Sequence, residues 1–169
     1  MIRILSPLLV ALALATAAAP ASVVAAEAMA RLHDREGNSV GTVALTELPY
    51  GTLLHARLAF MPPGAHAFHV HAVGTCEPPF KSAGGHFNPD GQDHGLADAD
   101  GRHVGDMPNI HVPSNGTLEI EVLNSELRMD DRLFDADGAS IVIHKGPDDY
   151  RSNPAGAAGP RIACGVIER

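Results

Sequence analysis

The sequence predicts an all-β protein, an antiparallel sandwich or barrel. Short segments alternate apolar and polar residues, turn dipeptides separate them, and there is little sign of helical periodicity. Short strands joined by regular turns bury an apolar face by packing or curling a sheet, which is the logic of sandwiches and barrels.

The first 26 residues read as an export signal and not as part of the fold. Arg3 is a one-charge n-region, residues 4–19 form an apolar run rich in Leu and Ala, and Val24-Ala25-Ala26 offers a small-residue cleavage site before Glu27. A membrane anchor is the competing reading, but the run is short for a bilayer span and ends in Ala and Pro. Residues 27–169 leave a chain of 143 residues, the size of one domain. That chain has no second segment apolar enough to cross a membrane.

Residues 42–47 alternate, with Val43 and Leu45 on one face. Residues 51–60 mix Leu53, Leu54, Leu58 and Phe60 with His55 and Arg57, so their register is less clear. Residues 117–123 place Leu118, Ile120 and Val122 inward and Thr117, Glu119 and Glu121 outward. Residues 139–144 and 162–167 are two further β-rich runs. Turn signals fall at 34–38, Asp90-Gly91, Asp100-Gly101, Asn115-Gly116 and Asp137-Gly138. Residues 124–133 are read as a helical turn.

Two Gly/Pro-rich stretches, 73–102 and 146–160, break the strand pattern. Long loops in a compact domain are usually functional or held from outside. The first contains Cys76 and three candidate metal ligands, so a metal and a disulfide would order it. Cys76 and Cys164 read as one disulfide, since an exported protein meets an oxidising compartment. Two buried thiols are the alternative.

Export would remove Arg3 and leave 11 basic against 20 acidic residues, a net charge of -9. Such a chain lacks the basic patch that nucleic-acid binding needs, and its charge favours solubility. A homodimer is compatible with the sequence, although no strand face marks its interface.

Six histidines and one aspartate form a spaced array: His69, His71, His86, His94, His103, Asp106 and His144. Seven such groups are too many for one tetrahedral ion, and two ions use them all if one ligand is shared. His69 and His71 are two apart in a β-like segment and so share one face, while Phe68 and Val70 take the other. The expectation is an apolar face turned inward and a metal-binding face turned outward. His66 is in phase with the apolar pair and reads as a packed, hydrogen-bonded structural residue. His86, His94, His103 and Asp106 make a closed tetrahedral zinc set, with Gly105 allowing a tight turn between the last two. His144 ends a strand and can join His69 and His71. A fourth nitrogen, from a shared His86, would suit Cu(II). His33, His55 and His111 read as surface or edge residues.

These segments resemble the copper-zinc superoxide dismutases in their exported bacterial form. The motifs are residues 64–71 (GAHAFHVH), 82–89 (SAGGHFNP), His94-Gly95, 102–106 (RHVGD), Ile143-His144 and 159–166 (GPRIACGV), in order and at family-like spacing over nearly all of 28–168. The resemblance implies a Greek-key β-barrel of about eight strands with two long functional loops, in the periplasm. It implies copper on His69, His71, His86 and His144, zinc on His86, His94, His103 and Asp106, and the Cys76–Cys164 disulfide. It implies that Arg161 is the active-site arginine and that Asp148 bridges His69 and His94 from outside the metals. The implied reaction turns superoxide into dioxygen and hydrogen peroxide, with His86 leaving copper to take up a proton while zinc still holds it.

The chain departs from the eukaryotic members in one respect: only 17 positions separate His144 from Arg161. The charged channel residues found there have no clear counterparts, and Lys81, Lys145 and Arg151 are the candidates. Three other readings compete. An exported copper or zinc buffer or chaperone would lack the bridging histidine or the arginine. A zinc hydrolase needs an open zinc position. A cupredoxin needs a thiolate ligand with a nearby histidine, and Cys164 is followed by Gly165-Val166.

Overall fold

A computed structural model describes residues 27–99 and 101–169. The expected export signal, and Asp100 of the expected Asp100-Gly101 turn, lie outside the described residues. Nine strands occur among the described residues: β1 (Glu27–Asp34), β2 (Ser39–Leu48), β3 (Gly51–Leu58), β4 (Gly64–His66), β5 (Phe68–His71), β6 (Ile110–Val112), β7 (Leu118–Asn124), β8 (Ser140–His144) and β9 (Arg161–Glu168). This count agrees with the expected eight or so. One 3₁₀ turn, Lys81–Ala83, is the only helical element among them.

Seven strands form one antiparallel sheet in the order β5-β8-β9-β1-β2-β3-β7, and β4 pairs with β6 in a separate ribbon. β1, β2 and β3 run as a meander. The chain then crosses to the far edge for β5, returns to pair β7 with β3, and crosses again for β8. These crossings give the Greek-key pattern.

Alternation fixes which side of the sheet is core. Ala28, Ala30 and Leu32 of β1, Val43 and Leu45 of β2, and Leu54, Ala56 and Leu58 of β3 all face one buried cluster. In β7, Leu118, Ile120 and Val122 turn inward and Glu119 and Glu121 outward, as their pattern predicts. The β1–β2 turn is held by Asp34, whose Oδ1 accepts the backbone N–H groups of Glu36 (3.0 Å) and Asn38 (2.8 Å).

β5 and β8 behave differently, because every residue in them is buried. Their core face carries Phe68, Val70, Ile141 and Ile143. Their other face lies under the two long loops, where Val142 packs with Phe80, Ala83 and Cys164. Burial on both faces explains why Ile141-Val142-Ile143 shows no alternation.

No helix forms over 124–133, but its end closes a single turn, in which Leu133 N–H and Phe134 N–H both donate to Asp130 O (3.2 Å each). Asn124 Oδ1 accepts the N–H groups of Glu126 (3.1 Å) and Leu127 (3.0 Å), while its Nδ2 donates to Val104 O (2.7 Å). Asp130 Oδ1 accepts from Arg132 N (3.0 Å). Side chains that capture nearby backbone donors replace the helical ladder with separate turns.

Cys76 and Cys164 are joined, with Cα atoms 5.6 Å apart and a sequence separation of 88. The bond ties the loop after β5 to β9. Chain entropy caps its contribution at about 4–5 kcal/mol. Reduction, or Cys76→Ser with Cys164→Ser, should therefore lower the unfolding free energy of the metal-free protein by about 2–5 kcal/mol. Denaturant titration with and without reductant measures the change, and an unchanged midpoint would contradict it.

Candidate metal centre

The loop that supplies most ligands is stitched onto the free edge of β5. Ala72 N–H donates to Gly85 O (3.0 Å), Phe87 N–H to Val70 O (2.8 Å), Val70 N–H to Gly105 O (3.0 Å) and Gly105 N–H to Phe87 O (2.8 Å). The segments around His86 and Gly105 are thus registered against β5, and His86 lies across from His71 as a bridge partner. Gly105 is needed for this approach and not for a turn conformation: a Cβ there would sit 2.2 Å from Val70 O.

His69 and His71 do point away from the barrel core, but they are not outward in the sense of reaching solvent. Both are fully buried, since the loops cover that face. A register shift between Ile143 and His144 ends the regular β8–β9 pairing where His144 joins them.

Two groups of donor atoms result. His69, His71, His86 and His144 present one nitrogen each, all within 4.8 Å of one another. His86, His94, His103 and Asp106 present a second such group on the same terms. His86 belongs to both, through different ring atoms.

Hydrogen bonds fix which nitrogen faces each group. His69 Nε2–H donates to Asp148 Oδ2 (2.8 Å), His71 Nδ1–H to Gly84 O (3.0 Å) and His144 Nδ1–H to Gly159 O (3.0 Å). The opposite nitrogen of each ring is left with a lone pair. These atoms, His69 Nδ1, His71 Nε2 and His144 Nε2, are buried and lack a hydrogen-bond partner, as is His86 Nε2. A buried polar atom without a partner is costly and calls for an explanation. Four converging on one point fit a cation with all-nitrogen coordination, which suits Cu(II).

The second group passes a different test. Asp106 Oδ1 lies 2.7 Å from His86 Nδ1, 3.0 Å from His94 Nδ1 and 3.2 Å from His103 Nδ1, and the last is 3.3 Å from His86 Nδ1. His94 Nε2–H is donated to Asp148 Oδ1 (3.0 Å), so a neutral His94 has no proton on the side facing Asp106. Lone pairs packed this closely need a positive centre between them. With zinc–ligand bonds of about 2.0 Å, a tetrahedron has edges of about 3.3 Å, close to these separations. Asp106 Oδ2 accepts the N–H groups of Gly95 (3.0 Å) and His103 (3.1 Å), which aims Oδ1 at the group. These residues fit one copper and one zinc ion.

Protonation favours ligation at neutral pH. Burial pushes the His69 imidazole down to about 4, against the pull of Asp148. Burial also takes His144 down to about 4, helped by the neighbouring His69 and His86 and opposed by its bond to Gly159. His71 is lowered well below the ordinary imidazole value for the same first reason. Burial would raise the Asp148 carboxyl, but hydrogen bonds from His69, His94 and Tyr150 outweigh it and hold it at about 2. Neutral imidazoles beside ionised carboxylates are the forms that bind cations.

Arg161 stands beside the first group, paired in register with His144. Its Nη1 donates to Phe80 O (2.5 Å) and its Nη2 to Gly84 O (2.6 Å), the oxygen that also accepts from His71. Lys81 is exposed in the segment that holds this guanidinium, and Arg151 is exposed in the second loop. Lys145 lines a different cavity with Asp34, Arg35 and Glu36. His66 is buried with its ring nitrogens 2.9 Å from His144 O and 2.8 Å from Pro62 O, a structural brace as its phase suggests. His33 and His111 are exposed, and His55 pairs with Glu119 (2.9 Å).

A model of the copper/zinc superoxide dismutase family matches residues 39–167. The chain belongs to this family. It is 48% identical to superoxide dismutase [Cu-Zn] 2 of Aquifex aeolicus over 147 residues, covering 83% of this chain and 86% of that one. Among solved structures, it is similar to the Cu/Zn superoxide dismutase from Brucella abortus, at 29% identity and a TM-score of 0.73, covering 85% of this chain and 100% of that one. It is also similar to a SOD-like protein from Bacillus subtilis, at 34% identity and a TM-score of 0.78, covering 82% and 96%. Copper and zinc are the metals of the family, and the two donor groups are where this chain offers them places.

Sequence reasoning missed two contributors. Asn109 and Tyr150 both touch the Asp148 turn, and neither carries a metal-ligand signature.

Asp148 holds a ring in each group, His69 in the first and His94 in the second. Removing such outer partners typically costs 10–100-fold in metal affinity. Asp148→Ala should weaken zinc binding by about that factor, measured by competition with a chromophoric chelator. Unchanged zinc affinity would show that Asp148 does not orient these rings.

Proposed function

We propose that this chain is an exported superoxide dismutase whose copper is held by His69, His71, His86 and His144 and whose zinc is held by His86, His94, His103 and Asp106. The observation that carries the reading is the shared His86, with one ring nitrogen turned to each donor group. Superoxide is the substrate, and the products are dioxygen and hydrogen peroxide.

Copper, when bound, supplies a one-electron redox couple that accepts an electron from one superoxide and returns it to a second. Zinc has no such couple. The chain's residues supply the rest. His86 would be the proton carrier: its Nε2, unpartnered in the first group, can take a proton, while its Nδ1 faces the second group. It gives that proton to the second superoxide, and water supplies the other proton needed for hydrogen peroxide. Asp148 holds His69 and His94 in the tautomers that leave their Nδ1 atoms free.

Arg161 docks the anion. The protein carries more acidic than basic residues, so the average field repels superoxide and a local positive centre must overcome it. Two guanidinium N–H groups are committed to Phe80 O and Gly84 O, which fixes the charge beside the copper group. Lys81 lies in the same segment and is exposed.

Residues 1–26 act as a cleaved signal, and the enzyme works in the periplasm as residues 27–169. Among the described residues, no helix is long and apolar enough to cross a membrane.

Metal analysis of the purified protein paired with stopped-flow superoxide decay tests the reading. One copper and one zinc per chain with fast decay, abolished by chelation, is the expected result. Zinc alone, or bound copper without decay, would make the protein a metal binder instead. A charged hydrogen bond of about 1.5–3 kcal/mol corresponds to roughly ten- to a hundredfold in rate. Arg161→Ala should lower the second-order rate constant by that much with copper still bound, and unchanged kinetics would remove Arg161 from the mechanism.

A further inference from the structure

Asp148 lies on a loop, yet it must hold two rings at hydrogen-bond distance. What fixes it is a clamp from another part of the chain. Asn109, three residues after Asp106 and directly before β6, grips the Asp148 backbone from both sides. Its Oδ1 accepts from Asp148 N–H (2.8 Å) and its Nδ2 donates to Asp148 O (2.9 Å). A side-chain amide here imitates a strand partner.

Tyr150 closes the clamp. Its hydroxyl accepts from Asn109 N–H (2.8 Å), and its own N–H donates to Asp148 Oδ1 (2.6 Å), the oxygen that holds His94. Its carbonyl accepts from Ala97 N–H (3.1 Å), in the loop that carries His94. Tyr150 has φ 65°, a left-handed conformation unusual for a bulky residue. Such a backbone persists only where its surroundings over-determine it. On the other side, Gly156 leaves the space: a Cβ there would run into Asp148 Oδ1 and sit 2.8 Å from His94 Nε2.

We propose that Asn109 and Tyr150 are positioning residues that set the affinity of the zinc group by holding Asp148 in place. Neither touches a ligand ring nitrogen in the hydrogen bonds described above. Their effect on zinc passes through the carboxylate, and it rests on the assignment of zinc to His86, His94, His103 and Asp106.

Tyr150→Phe removes the acceptor and keeps the ring. The zinc dissociation constant of this variant, measured by chelator competition, should rise about tenfold. The same substitution made on an Asp148→Ala background should change zinc affinity less than about twofold, because the carboxylate it acts through is gone. Equal losses in both backgrounds, or none in either, would overturn the proposal. Asn109→Ala should behave like Tyr150→Phe, and if it does not fold, the tyrosine pair of measurements still decides. Thermal unfolding of the metal-free variants separates a general loss of stability from the expected result, a loss confined to zinc binding. None of these readouts uses superoxide decay, so their failure is distinct from failure of the enzymatic reading.

Discussion

A buried imidazole has two nitrogens, and burial requires a partner for each. In this protein that constraint organises the whole metal face. His69, His71, His94 and His144 each spend one nitrogen on a protein oxygen, from Asp148, Gly84, Asp148 and Gly159 respectively. The remaining nitrogens have nowhere to go except toward a cation. His86 is the exception that gives the site its chemistry, because both of its nitrogens face donor groups. On the proposed reading, a ring held at one end and open at the other is what lets a proton move in step with an electron.

The fold supplies the conditions for that constraint. Strands β5 and β8 are covered on both faces, by the core on one side and the loops on the other. Without the loops, His69 and His71 would face water and their spare nitrogens would cost nothing. The loops in turn are not free chain. Backbone bonds stitch residues 85–87 and Gly105 to β5, the disulfide pins the loop after β5 to β9, and Asn109 and Tyr150 hold the turn at Asp148. Arg161 joins the same scaffold through Gly84 O, so its guanidinium and His71 of the first donor group share one carbonyl.

Much of this was legible in the sequence. Val43, Leu45, Leu118, Ile120 and Val122 alternate cleanly, and they line the core as that pattern requires. The seven donor residues are identifiable by type and spacing, counting ligands calls for one shared between two groups, and the family resemblance assigns that place to His86. Other features were hidden for physical reasons. β1 alternates Ala28, Ala30 and Leu32 with Met29, Arg31 and His33, an inner row that begins with two alanines and an outer one that is partly apolar, which blurs the signal. The buried face of His69 and His71 depends on loops that contribute no periodicity. Asn109 and Tyr150 are ordinary loop residues until the chain brings positions 109 and 148 together. The helical reading of 124–133 holds only for a turn at its end, where Asp130 O accepts from Leu133 and Phe134 N–H, because Asn124 captures the backbone donors that a longer helix would need.

The central claim is that one imidazole joins two ions. Loading both donor groups with Cu(II) turns that claim into a magnetic measurement. If His86 bridges the two ions as an imidazolate, their unpaired spins couple through the ring. The integrated electron paramagnetic resonance intensity should then fall below that of two independent Cu(II) ions as the sample is cooled. Intensity equal to two uncoupled ions at every temperature would contradict the account.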